Sequence, residues 1–143
     1  MKQEIKEVFD EFRKARDEFY SSEVKVNDLC EELAKAVLTE MGEGVKVKIY
    51  TDKMEEAGAD SIWINYYPKY GAPIPYKADY AYLKDGEVWL DLGRNIYEDF
   101  GGGLEGRAVE YVTVNYRLHD VRFRKNDIVE SIIYHYENKF GDL

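Results

Sequence analysis

The chain has 143 residues, 45% of them hydrophobic and 34% charged, and its 29 Asp and Glu against 20 Lys and Arg leave a formal charge of -9. That apolar fraction supplies one ordinary core and excludes a disordered tail, while the acidic excess opposes any grip on phosphate backbones by charge alone. No apolar run approaches the roughly 18 to 20 residues that span a bilayer, the opening Met1 to Glu4 lacks an apolar signal core, and the lone Cys30 excludes an internal disulfide, so the expectation is one cytoplasmic domain over 1–143.

From Lys2 to Tyr20 the residues Ile5, Val8, Phe9, Phe12, Ala15 and Phe19 recur at spacings of three and four, the stripe of an amphipathic helix. Ser21 and Ser22 interrupt it with side chains that can cap a new helix. Val26, Leu29, Cys30, Leu33, Val37 and Met41 then resume the period up to Gly42 and Gly44, predicting a helical hairpin. Asp28 with Glu31 offers a later start for the second helix. After Gly44 the period drops to two: Val45, Val47 and Ile49 alternate with Lys46, Lys48 and Tyr50, as in a strand with one wet face.

Residues 52–60 are polar and read as a loop or one helical turn. Ser61 to Tyr67 predicts a second strand, with Ile62, Ile64 and Tyr66 on one face and Trp63, Asn65 and Tyr67 on the other. Pro68, Gly71, Pro73 and Pro75 then stiffen the connection. Two extended runs from Tyr76 to Leu92 flank Asp85-Gly86, a dipeptide suited to the positive φ angles of a type I′ turn. Residues 93–106 read as a long loop around Gly101-Gly102-Gly103, and residues 107–123 as a long strand or a bent pair. Asn126 or Asp127 would cap a last helix carrying Ile128, Val129, Ile132, Ile133, Tyr136 and Phe140 on its stripe. This order predicts an α+β fold: an N-terminal helical hairpin, a mostly antiparallel twisted sheet of about five strands, and a C-terminal helix, with the helices on one sheet face.

Charge is unevenly placed. Residues 85–105 carry Asp85, Glu87, Asp91, Glu98, Asp99 and Glu105 against Arg94 alone, a row of carboxylates able to meet a basic groove on a partner. The plainer reading is a solvated edge that charge keeps unpaired. Among 13 tyrosines, Tyr66, Tyr67, Tyr70, Tyr76, Tyr80 and Tyr82 crowd around the proline segment. Tyrosine brings broad contact area at low entropic cost, and it is also a good strand former.

Other chemistry is weakly signalled. The glycine run lacks the Lys and Ser/Thr of a phosphate loop and leads into a strand. His119 and His135 fall on different elements, and His119 and Asp120, adjacent on a strand, would point to opposite faces. Cys30 lies on an apolar helix stripe, as a buried side chain does. Arg117, Arg122, Arg124 and Lys125 form one basic cluster, either an anion site or a set of salt-bridge partners.

The resulting expectation is a small acidic, non-enzymatic binding or inhibitor protein with no cofactor and no metal. Its partner would be a protein with a basic surface, including one that normally holds nucleic acid, met by Asp85, Glu87, Asp91, Glu98, Asp99, Glu105, Tyr66, Tyr67, Tyr70 and Tyr76. The analogy with phage and mobile-element anti-defence inhibitors is one of composition only. Two other readings stand beside it. One is a ligand pocket or enzyme site lined by Tyr66, Tyr80, Tyr82, Trp89 and Tyr116 with Asp79 or Asp91 as acid or base; the other is a homo-oligomeric structural component. Direct nucleic-acid binding and membrane association are disfavoured.

Overall fold

The computed structural model describes residues 2–17, 23–49, 62–98 and 107–143, with side chains described except at 15–17, 23–26, 98 and 107–109. Helices α1 (Lys2–Asp17) and α2 (Glu23–Met41) pack together, and α3 (Lys125–Phe140) lies against α2. The spacing of three and four brings Leu29, Cys30, Leu33, Ala34, Val37 and Leu38 of α2 onto one buried stripe, where they meet Ile5 and Phe12 of α1. Because α2 begins by Glu23, Asp28 and Glu31 lie within the helix, which corrects the later start. The expected Ser21 and Ser22 caps lie outside the described residues.

The strands are β1 (Val47–Lys48), β2 (Ile62–Tyr66), β3 (Ile74–Lys84), β4 (Glu87–Glu98) and β5 (Arg107–Arg117), and every pairing between them is antiparallel. One edge of β3 pairs with β4, which pairs in turn with β5. The other edge of β3 is shared end to end by β2 and β1. Pro75 sits inside β3 opposite Asn65 rather than in the preceding connection, on a stretch where the described register has only β2 beside it. The strand expected over 45–50 narrows to Val47–Lys48, and the Ile49 amide donates to the Asp79 carbonyl at 2.9 Å.

Residues 93–98 belong to β4 rather than to a loop, because β5 pairs with them at Asn95–Tyr111 and Ile96–Glu110. The glycine run at 101–103 lies outside the described residues. Strand β5 ends at Arg117, short of the expected Phe123, since a 3-10 turn (Leu118–Asp120) turns Leu118 into the core. Helix α3 begins at Lys125 after Arg124, which has φ 68° and no side-chain cap. The expected caps at Asn126 or Asp127 fail because both lie within the helix, and the Asp127 carboxylate accepts from Arg124 Nε at 2.9 Å instead.

The Asp85-Gly86 turn is present, with φ 52° and 74° and Lys84 opposite Glu87. Both angles lie in the left-handed region that a Cβ disfavours. Gly86→Ala is therefore expected to cost about 1 kcal/mol in urea unfolding, with Asp85→Asn near neutral; equal midpoints for Gly86→Ala and wild type would remove the type I′ assignment.

A bulge between Ala78 and Tyr80 decides which tyrosines face where. Before it, Tyr76 and Ala78 point to the helices; after it, Ala81 and Leu83 do. Uninterrupted alternation would have carried Tyr80 and Tyr82 inward, and the extra residue sends both to the opposite face. The inner face is completed by Ile62, Ile64, Val88, Leu90 and Leu92, which join the buried residues of α2 and α3 in one cluster. Tyr66 stands edge-on to Tyr76 at 5.4 Å and to Tyr116 at 5.3 Å, linking β2 to β5 although β3 and β4 lie between them. The sheet is therefore strongly coiled. No described helix is long and apolar enough to cross a membrane.

Candidate functional site

The sheet face turned away from the helices carries Trp63, Tyr80 and Tyr111 at 51%, 40% and 46% exposure, with Tyr82 and Trp89 half-buried beside them. Lysine ammonium groups lie over three of these rings: Lys46 over Tyr82 at 5.3 Å, Lys77 over Tyr111 at 5.6 Å and Lys84 over Trp89 at 5.9 Å. The carboxylates on this face are matched to cations, Asp91 to Lys46 at 2.6 Å, Asp79 to Lys77 at 3.4 Å and Glu87 to Arg117 at 3.5 Å. Lys48 and Lys84 add further positive charge there, so among the described residues the face leans cationic in a chain of net charge -9.

The bulge residue Asp79 accepts a short hydrogen bond from the Tyr111 hydroxyl, which reaches it across Gly93 of β4. Burial, then the hydrogen bond and charge of Asp79, push the Tyr111 phenol above its ordinary value, so it remains a donor. Any Cβ at position 93 would overlap the Tyr111 ring end and crowd the Asp79 carboxylate. Gly93→Ala is thus expected to cost about 1 kcal/mol by breaking this half-exposed bond, and to cost clearly less in a Tyr111→Ala background, where only the end of the Asp79 side chain still has to shift. Equal costs in both backgrounds by urea titration would contradict the contact. Further along, Lys46 is pushed up by the hydrogen bond and charge of Asp91, and the Tyr82 hydroxyl donates to Asn115 Oδ1 at 3.3 Å.

A second constellation joins elements distant in sequence. An open cleft of about 370 Å³ is lined by Glu31 and Lys35 of α2, Glu87 of β4, Arg117 of β5 and His119 of the 3-10 turn. Glu31 accepts from Lys125, whose side chain is 6% exposed, and its carboxylate lies 3.1 Å from His119 Nδ1. Lys125 Nζ also donates to the His119 carbonyl at 3.3 Å. Burial pushes Glu31 up, but the hydrogen bonds and charges of Lys125 and His119 outweigh it and leave the carboxyl below its ordinary 4.5.

The sign of the pH effect follows from that direction. A depressed folded-state value contributes stability that is present above the unfolded value near 4.5 and is lost as pH falls through the folded one. Glu31→Gln should therefore flatten the acid limb of stability against pH below that point. A limb of unchanged steepness would show that the pair contributes nothing.

The described members of the expected partner-binding set occupy different surroundings. Asp85 is exposed in the turn, and Glu87 is ion-paired. Asp91 is buried at 7% and held by Lys46, so the expectation that it faces a partner is corrected. The Glu98 side chain, Asp99 and Glu105 lie outside the described residues. Tyr76 is buried at 7% and Tyr66 is half-buried against it, so both are core-side rings rather than contact surface. Tyr67 lies half-buried under Arg122, and Tyr70 is exposed.

The expected pocket does not assemble either. Tyr66 and Tyr116 face inward, whereas Tyr80, Tyr82 and Trp89 face outward with Asp79 and Asp91. Sequence reasoning missed Glu31 as the shared partner of His119 and Lys125, because 88 and 94 residues separate those pairs and no local pattern marks them. Among the described residues no group of three or more His, Cys, Asp or Glu is placed to hold a metal ion. No protein-family model matches the chain, and no curated protein or solved structure matches it.

Proposed function

We propose that this chain is a binding protein that engages a protein partner through the outer face of its sheet. The observation that supports this reading is the exposure of Trp63, Tyr80 and Tyr111 on a face that the described helices leave bare. Tryptophan and tyrosine are the residue types that dominate contact energetics, since each removes a large area from water while few torsions are frozen. The lysines above the rings keep such a face hydrated in the free protein and offer hydrogen bonds in a complex.

The charge balance refines the partner. With Asp79, Glu87 and Asp91 paired to Lys77, Arg117 and Lys46 respectively, the described residues of this face offer no row of free carboxylates for a basic groove. A complementary surface would instead carry neutral and acidic groups. The test uses a partner captured from source cells with wild-type protein and then purified. A Trp63→Ala, Tyr80→Ala double variant should bind it at least about a hundredfold more weakly, while its far-UV circular dichroism matches wild type. A correctly folded variant with wild-type affinity would place the contact elsewhere, and capture of the chain's own copies alone would replace the foreign partner with self-association.

A further inference from the structure

At the edge of β2 away from β3, the segment 121–124 forms with that strand a cavity of about 200 Å³ lined by Trp63, Asn65, Tyr67, Arg122, Phe123 and Arg124. Its walls are unusual for an idle surface. Phe123 and Trp63 keep 65% and 51% of their area exposed while lining it. The Arg122 guanidinium lies over the Tyr67 ring with its carbon 4.0 Å from the centroid, an arrangement that holds the group in place and leaves its N–H edge for an anion. Arg124 is positioned as well, through its Nε bond to Asp127 and a backbone at φ 68° that a side chain disfavours.

We propose that this cavity binds a 5′-nucleoside monophosphate. The base stacks on the exposed rings of Trp63 and Phe123, its hydrogen-bonding edge meets the Asn65 amide, and the phosphate takes bidentate hydrogen bonds from Arg122 with the Arg124 charge beside it. The base and the phosphate of such a ligand each have a counterpart on the wall: two flat apolar faces and one amide that both donates and accepts for the base, and guanidinium groups for the phosphate. The volume admits one ring system rather than a run of bases. Charge makes the same choice, because a chain of net charge -9 repels a polyanion, whereas Arg122, with Arg124 and its partner Asp127 beside it, meets a single phosphate. This site shares Trp63 with the outer face but does not rest on the partner-binding reading, which Tyr80 and Tyr111 carry away from the cavity.

The test is calorimetric titration of the full chain with AMP, GMP, CMP and UMP, with adenosine, inorganic phosphate, a ten-residue single-stranded oligonucleotide and a Glu-rich peptide containing one Trp as competitors, and with tryptophan fluorescence for the non-fluorescent ligands. At least one monophosphate should bind one to one and quench emission, with adenosine and phosphate each at least about tenfold weaker. Arg122→Ala and Arg122→Lys should both lose at least about tenfold, because an ammonium neither stacks nor pairs bidentately. Phe123→Ala should lose a similar factor, and Tyr80→Ala should change nothing. Absence of binding by all four monophosphates at millimolar concentration would overturn the proposal. So would wild-type affinity in folded Arg122→Ala and Phe123→Ala, or tighter binding of the oligonucleotide or the peptide than of every monophosphate.

Discussion

Leu33→Ala is expected to remove about 3 to 5 kcal/mol of stability, a large part of the roughly 5 to 15 kcal/mol that holds a domain of this size together. Leu33 is fully buried in the middle of α2, the helix that touches α1, α3, β3 and β4. A void there has packed elements on several sides, so no single neighbour can move in to fill it without leaving another gap. Urea unfolding should give a much lower midpoint with an unchanged slope. Thr39→Ala, on the exposed side of the same helix with its hydroxyl donating to the Lys35 carbonyl, should stay within about 0.5 kcal/mol and serves as the control. A loss under about 1 kcal/mol at Leu33 would mean that α2 is not the centre of the core.

Lys125→Ala should cost about 2 to 4 kcal/mol. The ammonium is nearly sealed from water at the first residue of α3, where it ties the helix to Glu31 of α2 and to the His119 carbonyl. Its removal deletes the stem's packing and strips the principal cation from a carboxylate that is only 29% exposed. The partial exposure of Glu31 keeps the loss below that of a fully buried pair, since water and His119 retain access to the carboxylate. Lys125→Met restores the packing and should recover part of the loss. Adding Glu31→Gln to Lys125→Met should cost less than Glu31→Gln does alone, and strict additivity in this cycle would deny the coupling.

The elements that depend on local chemistry were legible in the sequence. The α1 and α2 stripes follow from spacings of three and four, and the hairpin follows from one dipeptide that accepts positive φ at both central positions. What could not be read depends on phase and on distance along the chain. One extra residue at Asp79 reverses the facing of Tyr80 and Tyr82, so a pocket inferred by simple alternation splits across both sides of the sheet.

The ion pairing of the acidic hairpin was illegible for a related reason. Composition counts carboxylates, but only the tertiary fold brings Lys46 to Asp91 and Arg117 to Glu87. Similarly, Leu118 ends β5 by entering the core as a 3-10 turn, which places His119 beside Glu31 instead of on a strand beside Asp120. Arg122 and Phe123, read as the end of a strand, become the wall of a cavity on β2.

The outer sheet face as the contact surface is tested most directly by footprinting the chain with and without its captured partner, using side-chain labelling read by mass spectrometry. Protection should appear at Trp63, Tyr80 and Tyr111 and be absent from the exposed residues Glu4, Lys14 and Glu32 of the two N-terminal helices. Protection of those helix residues, with Trp63, Tyr80 and Tyr111 still labelled as in the free chain, would contradict it.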